Sequence, residues 1–186
     1  MIFLISAVLG IGAFFVMSEK SVAQNLDKIS PTWSTFDELF KKYGSIYGVN
    51  WQILKAIAMN ESDLGRDRTV LEGLNNPKNI EGSKSYDGLS WGLMQVTLNT
   101  GREYDASITP EKLNNAEYSI KIASQYLAWV QRQFALVDPR YTEWVIKSYN
   151  QGVGNTNKER QGLVPKGYAQ EYWERFERNL TKVKGG

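Results

Sequence analysis

The chain is predicted to fold as an all-α, or nearly all-α, domain, and three observations lead there. Apolar residues recur at helical spacing in successive segments, as in Phe36, Leu39, Phe40 and Tyr43. Helix-start and helix-stop residues separate those segments: Asn50, Thr109-Pro110, Asp138-Pro139, Gly48 and Gly152. No stretch alternates apolar and polar residues long enough for a large sheet, and no internal repeat is present.

Met1 to Met17 is apolar apart from Ser6, Gly10 and Gly12. As a helix it would span about 25 Å, short of a hydrocarbon core of roughly 30 Å. It reads as a short membrane anchor or a secretion signal, with a buried core helix as the bland alternative. Ser21-Val22-Ala23 resembles a cleavage site, yet no Lys or Arg precedes the apolar run. Lys20 and Lys28 are offset by Glu19 and Asp27, so charge does not orient the segment. The expectation is a retained anchor over 1–17, a polar linker over 18–31 closed by Pro31, and one domain over 32–186.

Within that domain Trp33 to Tyr47 is expected to be helical and to end at Gly48. Asn50 can cap a second helix from Trp51 to about Ser62. The polar run from Gly65 to Leu89, with its Gly, Asn, Pro and Ser, reads as loop. A short helix is expected after Gly92, towards Tyr104. Thr109-Pro110-Glu111 combines a cap, a first-turn proline and an early acid, opening a helix predicted to reach Leu136 and to be the longest of the chain. Arg140 to Tyr149 is the next, ended by Gly152 and Gly154. The last runs from about Lys166 to Leu180, with Tyr168, Tyr172, Trp173, Phe176 and Leu180 on one side.

Composition excludes several chemistries. With His 0 and Cys 0, neither a Ser-His-Asp triad nor a thiol nucleophile can form, nor a metal site of the usual nitrogen and sulfur ligands. Disulfides and an acylated N-terminal cysteine are excluded too. A catalyst must then use Asp, Glu, Tyr, Lys or the backbone, and no metal or cofactor is expected. A net charge of +2 without a basic run argues against nucleic acid as a partner. The 6 Trp and 10 Tyr suit an aromatic core, a cleft whose rings meet sugar faces, or both.

Glu61 is the candidate acid. It shares a helix face with Leu54, Ile57 and Ala58. Loss of hydration there raises a carboxyl's pKa, and the negative helix C-terminus acts the same way. A general acid acting on a glycosidic oxygen needs that protonated state. By position alone, a wet or Lys-paired Glu at a helix end is the better reading. Two later segments bear on the choice. Ser90-Trp91-Gly92-Leu93-Met94-Gln95 joins a glycine permitting close approach to an amide suited to sugar hydroxyls or an acetamido group. Tyr149-Asn150-Gln151-Gly152 ends an inward stripe of Tyr141, Trp144, Val145 and Ser148. Either segment alone could be ordinary core and cap.

Glu61-Ser62 after an apolar helix, Gly92-Leu93-Met94-Gln95, Tyr149-Asn150-Gln151-Gly152 and Tyr168-Ala169-Gln170-Glu171-Tyr172 together resemble the lysozyme-like lytic transglycosylases of the soluble lytic transglycosylase domain family, over about residues 33–180. The resemblance implies cleavage of the MurNAc–GlcNAc β-1,4 bond of peptidoglycan without water, leaving a 1,6-anhydroMurNAc end. It assigns Glu61 as acid and then base, with the muramic acetamido group stabilising the anomeric centre. It places Met94 and Gln95 along the cleft, Tyr149, Asn150 and Tyr168 beside acid or sugar, and Ser62, Ser90 and Gly92 at the substrate-binding motifs. Peptidoglycan strands are the implied partner, with the membrane reached through 1–17 and an envelope or virion assembly as its setting.

No second carboxyl is convincingly placed: Asp63 points to another helix face, while Asp67 and Asp87 fall in the predicted loop. The spacing from Glu61 to Gly92 is longer than in compact members, which leaves room for Asp87 to reach the cleft. Were Asp87 to hold a water, the enzyme would be a hydrolase resembling goose-type lysozyme. A non-catalytic wall-binding or virion protein is the remaining alternative, and the presence of Glu61 argues against it.

Overall fold

The computed structural model describes residues 31–67, 89–164 and 168–185, with the side chain of Tyr168 excepted. Seven helices and one hairpin are found among them. In chain order they are α1 (Asp37–Tyr47), α2 (Trp51–Ser62), β1 (Ser90–Trp91), β2 (Val96–Thr97), α3 (Leu98–Tyr104), α4 (Pro110–Asn114), α5 (Ala116–Gln131), α6 (Tyr141–Arg160) and α7 (Tyr168–Gly185). The anchor expected over 1–17, the linker expected over 18–31 apart from Pro31, and most of the 65–89 loop with Asp87 lie outside the described residues. No helix among the described residues is long and apolar enough to cross a membrane.

α2 is the centre of the molecule. The Asn50 side chain accepts from the Gln52 N–H and starts it, and Leu54, Ala56, Ile57 and Ala58 are fully buried. α2 packs most extensively on α7, and α1 contacts both α2 and α5. Phe40, Met94, Leu113, Ile120, Leu127 and Phe176 join it in one core. α7 enters that core through Tyr172, Phe176 and Val183, a helical stripe.

The structure corrects several boundaries, and the first helix begins at Asp37 rather than Trp33. After Gly92 the chain forms a turn rather than a helix, because Gly92 and Gln95 both have positive φ, 73° and 47°. That turn closes β1 on β2 with Trp91 opposite Val96, and the helix waits until Leu98, where Thr97 Oγ1 accepts from the Thr100 N–H. The long helix predicted from Thr109 to Leu136 is broken at Asn115, whose backbone is extended (φ −74°, ψ 122°) and whose side chain accepts from the Tyr118 N–H to start α5. It also stops early, at Gln131. Gly152 interrupts α6 (φ 80°, ψ 152°) without ending it, so α6 resumes to Arg160 and, at 20 residues, is the longest helix among the described residues. That backbone conformation is essentially restricted to glycine. The last helix continues past Leu180 to Gly185.

Candidate active site

Glu61 lies in the last turn of α2, partly buried. The helix stops directly after Ser62, where Asp63, Leu64 and Gly65 turn the chain with successive φ values of 48°, 56° and 77°. The Asp63 carboxylate pairs with Arg66 at 2.7 Å and so lies with the turn. Ser62, 1% exposed, donates to the Leu93 carbonyl at 2.7 Å and accepts from the Gly65 N–H at 3.0 Å. One hydroxyl thus ties the acid's helix both to its closing turn and to the hairpin.

From the other side comes α7. The Tyr172 hydroxyl donates to Glu61 Oε1 at 2.5 Å. A buried amide relay holds that helix in register: Asn60 Nδ2 donates to the Tyr172 carbonyl at 3.0 Å, and Asn179 Nδ2 donates to Asn60 Oδ1 at 2.7 Å. Burial pushes the Glu61 carboxyl up from 4.5 to about 7, against the smaller opposing effects of the Tyr172 hydrogen bond and the Arg175 charge. Desolvation outweighs both, so the carboxyl titrates near neutrality. Burial, with the Glu61 charge next, holds the Tyr172 and Tyr149 phenols well above 10. Both are neutral hydrogen-bond donors at physiological pH.

The hairpin turn forms a third wall. Gly92 lies so close to α4 that a Cβ there would stand 1.8 Å from the Leu113 carbonyl oxygen. Ser119 Oγ accepts from the Met94 N–H at 3.0 Å, and the Tyr149 hydroxyl donates to the Met94 carbonyl at 2.8 Å. Gln95, partly buried, donates from Nε2 to the Gly92 carbonyl at 2.8 Å. Ser90 is half-buried and pairs with Thr97 across the hairpin.

α6 carries Tyr149 and Asn150 just before its kink. A buried charge cluster braces both halves of the kinked helix. Lys147, fully buried, pairs with Glu143 at 2.9 Å and with Glu159 beyond the kink at 2.5 Å. It also reaches Gln170 of α7 at 2.8 Å. Gln151 adds a bond to Glu159 at 2.9 Å. The position of Tyr149 is therefore fixed from both sides of Gly152.

Of the residues singled out in the sequence, Glu61, Ser62, Gly92, Met94, Gln95 and Tyr149 belong to this one bonded constellation. Their parts differ from the expectation in three places. Ser62, Gly92 and Met94 are buried, so they meet the site as packing and backbone rather than as a sugar-facing surface. Met94, 0% exposed, offers its carbonyl to Tyr149 while its thioether fills the core. Asn150 is half-buried next to Tyr149. Tyr168 opens α7, and its side chain lies outside the described residues. The partner that sequence reasoning missed is Tyr172, quoted as the end of the Tyr168-Ala169-Gln170-Glu171-Tyr172 segment but given no role at the site. Asn60 was missed as well, because a polar residue beside an acid carries no signal of its distant partner. Among the described residues no three acidic side chains gather as metal ligands would.

A family model described as the transglycosylase SLT domain matches residues 38–164. Over 175 residues the chain is 27% identical to the membrane-bound lytic murein transglycosylase F of Actinobacillus succinogenes, a match covering 91% of this chain and 30% of that protein. The chain thus spans less than a third of the length of that curated relative.

Proposed function

This chain belongs to the transglycosylase SLT domain family, and on that footing we propose that it is a peptidoglycan lytic transglycosylase with Glu61 as its acid and base. The observation that carries the reading is the Glu61 carboxyl itself, pushed up to about 7 by burial. A carboxyl there holds a proton near neutral pH and can also release it, as one group serving both roles must.

In this reading the Glu61 proton passes to the bridging oxygen as the bond from the MurNAc anomeric carbon breaks. The sugar's own 6-hydroxyl then attacks that carbon, and its proton returns to Glu61. The ring closes to a 1,6-anhydro product, no water is consumed and the carboxyl is regenerated. Two-carboxyl glycosidases need a second acid opposite the first. The described surroundings of Glu61 are instead phenolic and cationic, namely Tyr149, Tyr172 and Arg175. Tyr172 holds the carboxylate between the two steps, and Gln95 and Asn150 supply amides for the sugar. The apolar segment 1–17 would keep the domain at a membrane beside the wall, in an envelope or a virion.

Mass spectrometry of muropeptides released from purified peptidoglycan tests this directly. Products one water lighter than reducing-end fragments are expected. Reducing ends would overturn the proposal in favour of a hydrolase using Asp87, and no release from folded protein would move the weight to wall binding.

The pH profile offers a second check. The acid must be protonated, so kcat/KM should fall as pH rises through about 7. The Tyr172 hydrogen bond favours the charged form and lowers that pKa. Tyr172→Phe should therefore move the basic limb to higher pH. A limb that stays in place would separate Tyr172 from the acid's titration.

A further inference from the structure

Three aromatic rings lead away from Glu61 to the surface. Tyr149 is near enough to Glu61 for its phenol to feel the carboxylate charge. Its ring meets that of Tyr126 at 5.7 Å between centroids, tilted by 57°. Tyr126 in turn stacks on Trp129 at 5.9 Å and 20°. The two phenols are tethered, Tyr149 to the Met94 carbonyl at 2.8 Å and Tyr126 to the Ser148 carbonyl at 3.2 Å. Exposure rises outward: both tyrosines are half-buried, and Trp129 is 38% exposed, the one aromatic among the exposed large hydrophobics of the described residues.

We infer that Trp129, backed by Tyr126, is an outer subsite for the glycan strand, stacking on a β-1,4-linked N-acetylamino sugar two ring steps beyond Tyr149. The site rests on the reading of Glu61 as the centre that cuts such strands. An indole held flat by a second ring loses little freedom when a sugar face settles on it, so its contact area converts efficiently into affinity. The apolar face of a pyranose suits that ring, and the ring steps are of the order of one sugar unit. Exposed apolar side chains scattered singly are ordinary. Trp129 differs from Ile46, Leu136 and Val137 because its ring is continuous with the one that borders the acid.

The test uses the full chain carrying Glu61→Gln, so that nothing is cleaved, and compares chitotriose with chitohexaose by NMR titration. Adding Trp129→Ala should weaken chitohexaose binding about tenfold, the loss of one good aromatic contact, and leave chitotriose unchanged. Trp129→Phe should restore most of the hexaose affinity. Equal hexaose affinity with and without Trp129 would overturn the subsite. So would equal losses for both oligomers, which would mark a merely structural ring, or a failure of the Glu61→Gln chain to bind either. The product analysis of the wild-type chain decides the cleavage reaction separately, so a failed subsite leaves that result standing.

Discussion

Glu61→Gln is expected to reduce release of anhydromuropeptides below detection while the protein stays folded. The amide keeps the shape of the carboxyl and can still accept from the Tyr172 hydroxyl, so the packing of α2 on α7 survives. What it loses is the transferable proton, and general acid–base catalysis alone is worth roughly 10²–10⁴-fold in rate. Here one group is assigned both halves of the reaction, so the full loss should exceed that. The same substitution carries a stability signature of opposite sign. The folded pKa of Glu61, about 7, lies above its ordinary 4.5, so the folded state binds the proton more tightly than the unfolded state does. Its contribution is favourable at acid pH and is lost as pH rises through about 7. Thermal unfolding at pH 8 should then show Glu61→Gln at least as stable as the wild type. A folded Glu61→Gln protein with wild-type activity would sink the assignment of the acid.

Gly92→Ala should damage the fold severely. The new Cβ would stand 1.8 Å from the Leu113 carbonyl oxygen, on a backbone with φ of +73°. Left-handed backbone costs an L-residue about 1–2 kcal/mol, and forcing apart a packed contact adds about 1–3 kcal/mol. Together these are a large share of a typical domain's roughly 5–15 kcal/mol. The displaced turn also carries Gln95 and the Met94 carbonyl, so activity should fall with stability. Urea unfolding of the two proteins measures it, and a Gly92→Ala midpoint equal to that of wild type would contradict the close approach to α4. Gly152 provides the contrast: a Cβ there meets nothing within 4 Å, so Gly152→Ala bears the backbone cost alone.

How much of this was legible in the sequence depended on whether the signal was local. α2 was readable from end to end because Asn50, the apolar stripe and the turn after Ser62 all lie within a few residues of one another. The hairpin was not readable, since strands of two residues have no period and Gly92-Leu93-Met94-Gln95 has the look of a helix start. Asn115 was hidden because helical spacing continues across it; a cap inside a periodic run changes the helix axis without changing the pattern. Gly152 was seen as a stop, whereas one residue of unusual backbone only kinks a helix that Lys147, Glu159 and Gln151 brace across the break. At the site, Glu61 stood out as a carboxyl on an apolar stripe. Tyr172 did not, because an inward tyrosine reads as core until its partner, 111 residues earlier in the chain, is seen. Met94 was taken for a cleft wall when its place is the interior, a distinction that spacing cannot draw.

The family match ends at residue 164, and α7 begins at Tyr168. The helix that hydrogen-bonds Glu61, and that α2 leans on most, therefore lies beyond the portion shared through that match. Anyone excising 38–164 as a module, or grafting it into another host, would strip the cover from α2, orphan the Asn60 amide and flood the Glu61 carboxyl with solvent. Its proton affinity would relax towards that of an ordinary glutamate. The practical unit of exchange in this protein is the shared segment together with its C-terminal helix.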